Sequence, residues 1–302
     1  MNSAYIGQLK KYKFRLFLLL PALILVFVFS YVPMLGIIIA FQDFDIIEGF
    51  FGSKFVGLSN FVKIFTIPQF LAAIKNTLIF SGVNLIFSTP FPIILALLFN
   101  ELKHQKFKKL VQTVSYMPHF LSWISVVGMF YMFFSTDGTF NDIRENLFGL
   151  ERTNILLDSK YFLGIVFTSN LWKTVGWSSV IYLAAIAGID GNMYDAATID
   201  GCGRFGQIFY ITLPSIMPTI IILFIMATGS LVNSNFEQIF GFQNIYTQEA
   251  TEVINTIVYR KGILDGQYSL STALGLLQGA VSFIIVFLSN MVIKKLTGTG
   301  IW

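Results

Sequence analysis

Six long apolar runs, near residues 16–40, 77–99, 111–134, 161–187, 214–240 and 269–293, constrain this chain more than any other feature. Each matches the ~20 residues that carry an α-helix across a hydrocarbon layer. Backbone polar groups inside such a layer find no water, so each run has to bond to itself as a helix. Composition agrees: 55% of the residues are apolar and only 12% charged, against roughly 25% charged in a soluble domain. No segment between the runs is long enough to fold alone. The chain therefore reads as one all-α integral membrane domain over residues 1–302, with six transmembrane helices and membrane lipid as its solvent.

Basic residues set the orientation, because short segments rich in Lys and Arg resist translocation. Lys10, Lys11, Lys13 and Arg15, the turn with Lys103, Lys106, Lys108 and Lys109, and the tail with Lys294 and Lys295 are the dense clusters. Six spans bring all three to one side and predict cytoplasmic N- and C-termini. The external loops still carry scattered cations from Lys54 to Lys261, so density and not count decides. The first run is too long for the roughly 7–15-residue core of a secretory signal, and no small-x-small site follows it. It reads as the first span.

The formal charge of +4 comes from few ionisable groups, many beside helix ends, so no nucleic-acid partner is implied. A single cysteine, Cys202, excludes an internal disulfide, and His104 and His119 form no metal-ligand cluster. No phosphate-loop pattern appears, so ATP and Mg have no binding site in this chain. No triad or paired carboxylates lie within the runs, which leaves an intramembrane enzyme without residues. Catalytic residues and metal ligands are therefore expected to be absent.

The segment between the fourth and fifth runs, about residues 190–213, is the informative one. It reads Asp195-Ala196-Ala197-Thr198-Ile199-Asp200-Gly201, then nine residues, then Ile211-Thr212-Leu213-Pro214. Asp195 suits the start of a short helix, where a carboxylate meets unpaired N–H groups. Ala196 and Ala197 offer a small surface for close approach by a partner. Gly201 suits a turn that other residues resist, and Pro214 suits the first turn of the next helix. Piece by piece, this is a capped interfacial helix leading into a span.

As a whole, the acid-Ala-Ala, three residues, Gly, nine residues, Ile-x-Leu-Pro spacing resembles the EAA loop of permease subunits in binding-protein-dependent ABC importers. Asp195 stands where that loop usually has Glu, and Cys202 follows Asp200-Gly201 where Ala is usual. Tyr31-Val32-Pro33-Met34-Leu35-Gly36, Phe55-Val56-Gly57-Leu58-Ser59-Asn60-Phe61, Trp172-Lys173-Thr174-Val175-Gly176-Trp177, Tyr182-Leu183-Ala184-Ala185-Ile186, Phe236-Glu237-Gln238-Ile239 and Val258-Tyr259-Arg260 are similar to the sugar-permease branch. Within it they most resemble Gram-positive permeases for large oligosaccharides.

The resemblance implies the type I ABC importer permease fold in a bacterial plasma membrane. It also implies a second homologous permease subunit, two ATPase subunits that bind ATP and Mg, and a lipid-anchored extracellular solute-binding protein that delivers an oligosaccharide. Asp195, Ala196, Ala197, Asp200, Gly201, Ile211, Leu213 and Pro214 would then couple the chain to an ATPase. An ion-coupled secondary transporter or channel is the alternative, but its relay would rest on little more than Lys173 and Glu237.

The substrate path is read from polar groups within the apolar runs, which are expensive and so point to function. The candidates are Asn170, Lys173, Asn233, Asn235, Glu237 and Gln278, with Trp172, Trp177 and Phe236 as rings on which a sugar face can stack. Two roles stand open for Lys173 and Glu237: a buried pair joining the fourth and fifth spans, or groups facing the substrate.

Overall fold

The computed structural model describes residues 2–301, with side chains described for 12–15 and 17–301. Lys10 and Lys11 of the first basic flank lie outside the described side chains. Helix dominates, as the apolar runs require. A small antiparallel hairpin pairs Gln42–Asp43 with Lys54–Phe55, setting Gln42 opposite Phe55.

Four helical stretches are long and apolar enough to cross a membrane: Tyr12–Phe41, Pro68–Glu101, Arg204–Val232 and Tyr268–Thr297. Two more are bent, Gln105–Phe120 meeting Trp123–Phe148 at 103° and Ser159–Ala187 meeting Gly191–Ile199 at 70°, which makes up to six if each bent pair is one span. The bends differ from the uniform runs of the sequence. Within 111–134 the chain tightens at Met117–Phe120, becomes extended at Leu121 and Ser122, and restarts at Trp123, where the Ser122 hydroxyl accepts from the Ser125 N–H. Pro118 supplies no N–H to continue the earlier ladder. Within 214–240 the helix ends at Val232, and Asn235 caps a separate short helix, Phe236–Phe242, by accepting from the Gln238 N–H at 3.0 Å. Hydropathy does not register either break, because the side chains on both sides remain apolar.

Two prolines are accommodated by widened turns. A π-helical turn at Phe27–Tyr31 precedes Pro33, and another at Ile208–Thr212 precedes Pro214. A π turn shifts the carbonyl ladder by one residue, which relieves the clash a proline ring makes with the turn before it. Pro214 therefore sits inside a helix that starts at Arg204, ten residues earlier than the sequence places it.

Packing inverts that of a soluble protein, with most of the first helix exposed and apolar. Buried clusters mark both ends. At one, Ala40, Ile64, Phe70, Ala73, Ile254, Ile257, Ala273 and Leu274 pack beneath the hairpin. At the other, Ile93, Ala96, Tyr182, Ile186 and Ile216 pack beside the 190–213 segment, with Ile189 and Leu213 against them. The hairpin end is tied down by Asn60, 2% exposed, whose Nδ2 donates to the carbonyls of Ala40 (3.0 Å) and Gln42 (2.9 Å). Gly57 turns into this segment at φ +58°. Asn60→Leu keeps the branched shape of the side chain and strands both carbonyls, so it is expected to cost about 2–3 kcal/mol. Thermal unfolding in detergent reads this, and an unchanged midpoint would remove the tie.

Candidate functional site

The 190–213 segment forms a helix, a glycine turn and the start of the next helix. Asp190, not Asp195, caps the helix Gly191–Ile199, accepting from the Asn192 N–H at 3.0 Å. Asp195 lies in its middle, because the helix begins one turn earlier than the sequence pattern implies. Gly201 adopts φ +76°, the left-handed region that penalises any side chain. The Cys202 N–H then bonds back to the Ala197 carbonyl at 2.8 Å and closes the turn.

Two side-chain bonds brace the two helices. Tyr194 Oη and Thr212 Oγ1 are 2.9 Å apart, and Gln207 Nε2 donates to Thr198 Oγ1 at 2.9 Å. Thr212 is 2% exposed, so this brace is anchored in packed protein. Ile211 is buried and Leu213 packs on the cluster around Tyr182. Asp195, Ala196, Asp200 and Gly201 are exposed, as is the Ile199 side chain at 88%. Of the eight sequence candidates, Asp195, Ala196, Asp200 and Gly201 thus form an outward face and Ile211 and Leu213 a seated base, while Ala197 is half-buried and Pro214 is exposed on the next helix. Ile199 and Tyr194, absent from that set, extend the face and the brace respectively.

The polar groups gather in a groove between Pro68–Ser88, Ser159–Ala187 and the far half of Arg204–Val232. Two cavities lie along it. One, about 140 Å³, is farther from the 190–213 loop and is lined by Ser81, Ser230, Asn233, Ser234, Asn235 and Gln238 among others. The second, about 370 Å³, is nearer the loop and carries Thr174, Trp177, Ser178 and Tyr182. Asn84, Ser88, Asn170 and Ala227 belong to both. Of the sequence candidates, Asn170, Asn233, Asn235 and Trp177 line this groove. The candidate set lacks Asn84 and Gln238, although amides within the runs 77–99 and 214–240 meet the same criterion.

Trp172, Lys173, Phe236, Glu237 and Gln278 lie outside both cavities. Gln278 donates to the Val232 carbonyl (2.8 Å) and to Asn255 Oδ1 (2.9 Å), holding the helix break at 233–235. Phe236 stacks on Phe240, and Trp172 meets Phe130. Lys173 is 6% exposed, and its Nζ donates to the carbonyls of Leu121 (2.5 Å), His119 (2.7 Å) and Pro118 (3.4 Å). The 103° bend frees the carbonyls of His119 and Leu121, and the third N–H of the ammonium reaches the Pro118 carbonyl, which also accepts from the Leu121 N–H at 3.2 Å. No ion pair joins Lys173 to the exposed Glu237 among the described residues.

Gly176 and Trp177 pack at the same bend. A Cβ on Gly176 would lie 2.0 Å from the Ser115 carbonyl oxygen, so only glycine allows the approach. Trp177 stacks flat on His119 at 4.8 Å and 4°. The one motif fixes the angle of a neighbouring helix and lends its last ring to the groove.

Residues 88–298, which contain the braced loop and all of the groove except its Pro68–Ser88 wall, match the family described as the binding-protein-dependent transport system inner membrane component. This chain belongs to that family. It is a multi-pass permease component of such a transport system and not an ATPase. The chain is 41% identical to the polygalacturonan/rhamnogalacturonan transport system permease protein YteP of Bacillus subtilis (strain 168), over 98% of this chain and 92% of that one. It is 38% identical to protein LplB of the same organism, over 99% of this chain and 94% of that one. A permease in the crystal structure of a bacterial alginate ABC transporter, in complex with an alginate pentasaccharide-bound periplasmic protein, superposes with a TM-score of 0.90 at 36% identity, covering 98% of this chain and 99% of the other. The resemblance drawn from the loop and its flanking motifs holds, and the ion-coupled transporter or channel is not favoured.

Proposed function

We propose that this permease is half of the translocation path of an ATP-driven importer in a bacterial plasma membrane, moving an oligosaccharide handed over by a lipid-anchored binding protein. It crosses the membrane six times, with both termini and the 190–213 loop in the cytoplasm. The observation that carries the reading is the loop itself. An exposed helix presenting Asp195, Ala196 and Ile199 is held by Gly201 at φ +76° and braced onto a membrane helix through Tyr194 and Thr212. Motion imposed on that helix by an ATPase is transmitted to Arg204–Val232, which also lines the groove.

Charge and helix direction support the orientation. Arg204 pairs with Glu101 at 3.6 Å, which brings the basic turn after Glu101 to the loop end. The last helix begins at the hairpin end, where Ser269 Oγ accepts from the Phe44 N–H, and runs towards Lys294 and Lys295. The first helix approaches the hairpin at Ala40 from the basic residues Lys13 and Arg15.

ATP and Mg belong to two separate ATPase subunits. The long exposed face of the first helix is left for lipid and for a second, homologous permease. A sugar suits the groove, whose amides, hydroxyls and Trp177 ring supply hydrogen bonds and a stacking face. The relatives named for polygalacturonan/rhamnogalacturonan and for alginate favour a large oligosaccharide.

Purification through a tag on this chain is expected to bring down a second permease and an ATPase. Proteoliposomes holding the complete transporter are expected to take up labelled galacturonan oligosaccharide only with ATP and binding protein. Uptake under an ion gradient by liposomes containing this chain alone would sink the reading.

A further inference from the structure

Asn170 Nδ2 donates to Asn84 Oδ1 at 2.7 Å across the groove. The bond joins Pro68–Ser88 to Ser159–Ala187, and both residues line both cavities. It therefore stands at the waist between the space far from the loop and the space near it. No acidic, basic or histidine side chain lines either cavity. The cation nearest in sequence, Lys173, is turned away onto the carbonyls of the bend.

An amide pair at such a waist has a specific chemistry. Each amide offers donors and an acceptor, and the pair satisfies only part of that capacity. A hydroxyl donates and accepts as well, so a row of hydroxyls can replace the Asn84–Asn170 bond with two equivalent ones and leave no polar group stranded. A carboxylate only accepts and finds no cation here. Below the waist Thr174 and Ser178 continue the hydroxyl and amide lining, with Trp177 beside them.

We propose that the Asn84–Asn170 amide pair is the waist of this subunit's half of the path, a charge-neutral gate that opens by exchanging its hydrogen bond for the hydroxyls of a passing sugar chain. The wall reads polyhydroxyl character and is indifferent to charge, even though one solved relative is described as importing an acidic polysaccharide. The proposal rests on the importer reading for its cargo, but its geometry is testable without cargo or ATP.

In the assembled transporter, Cys202→Ser removes this chain's single thiol. Ser230→Cys then reports the cavity far from the loop, and Thr174→Cys the cavity near it. Two membrane-impermeant thiosulfonates, one bearing a trimethylammonium and one a sulfonate, are applied from the side opposite the loop, and the mass of this chain reports labelling. Ser230→Cys is expected to react readily and Thr174→Cys slowly. Adding Asn84→Ala or Asn170→Ala, which break the same bond from opposite sides, is expected to speed labelling at 174 by several-fold to about tenfold. The two reagents are expected to keep the rate ratio they show with a free thiol, since a fixed charge in the lining would bias it by about tenfold or more.

Labelling at 174 as fast as at 230 with the pair intact would overturn the waist, as would a rate that neither alanine variant changes. A tenfold preference for one reagent charge would overturn the neutrality. A chain that is no importer subunit still gives interpretable labelling, so failure here is distinct from failure to take up sugar.

Discussion

In proteoliposomes holding the complete transporter, Gly201→Trp is expected to abolish ATP-driven uptake, and Gly201→Ala to reduce it about tenfold. Gly201 sits at φ +76° with no atom within 4 Å of an added Cβ. Alanine therefore meets backbone strain and no clash, at about 1–2 kcal/mol in the left-handed region. That is roughly a tenfold loss in the population of the turn that seats Cys202 against Ala197. Tryptophan adds bulk on the exposed side, beside Asp200 and Ile199, where a partner has to approach closely. ATPase co-purification and uptake should fall together in the order glycine, alanine, tryptophan. If Gly201→Trp recruits ATPase and transports like the wild type, the loop is not the coupling element.

Lys173→Met is expected to destabilise the fold by about 2–5 kcal/mol, because it leaves the carbonyls of His119 and Leu121 without donors and removes one of the two donors to the Pro118 carbonyl. Methionine keeps most of the stem and its packing against Trp123, whose ring lies 5.5 Å from Nζ, so the loss isolates the hydrogen bonds. Inside a membrane no water replaces them. The expected result is a low yield of monodisperse protein and a depressed unfolding midpoint in detergent, partly restored by Lys173→Arg. A Lys173→Met chain as stable as the wild type would return Lys173 to the candidate substrate contacts.

Both residues illustrate what a one-dimensional pattern carries. Gly201 was legible because the requirement is local: a residue after a short helix must turn left-handed, and glycine does so without strain. The interior role of Lys173 was not, because its acceptors lie more than fifty residues away on another helix. Intramembrane polarity marked Lys173, Gln278 and Asn170 alike. It separated neither Gln278 and Lys173, which satisfy broken helices, from Asn170, which faces the groove, nor Asn170 from its partner Asn84. Asp195 shows the same limit locally: an acid near a helix start suggested a cap, and a better-placed acid, Asp190, took the position.

By itself the sequence determined the helical membrane class, the 190–213 segment with its glycine turn, and the resemblance that the family match bears out, because each follows from local hydropathy, local backbone preference or a gapped pattern along the chain. The tertiary structure alone decided where helices break and bend, which polar side chains turn inward to freed carbonyls, and which meet across the groove. Those outcomes depend on pairing between residues such as Asn84 and Asn170, or Lys173 and Leu121, that are distant in sequence. In a medium without water each polar group takes whatever partner the packing brings within reach.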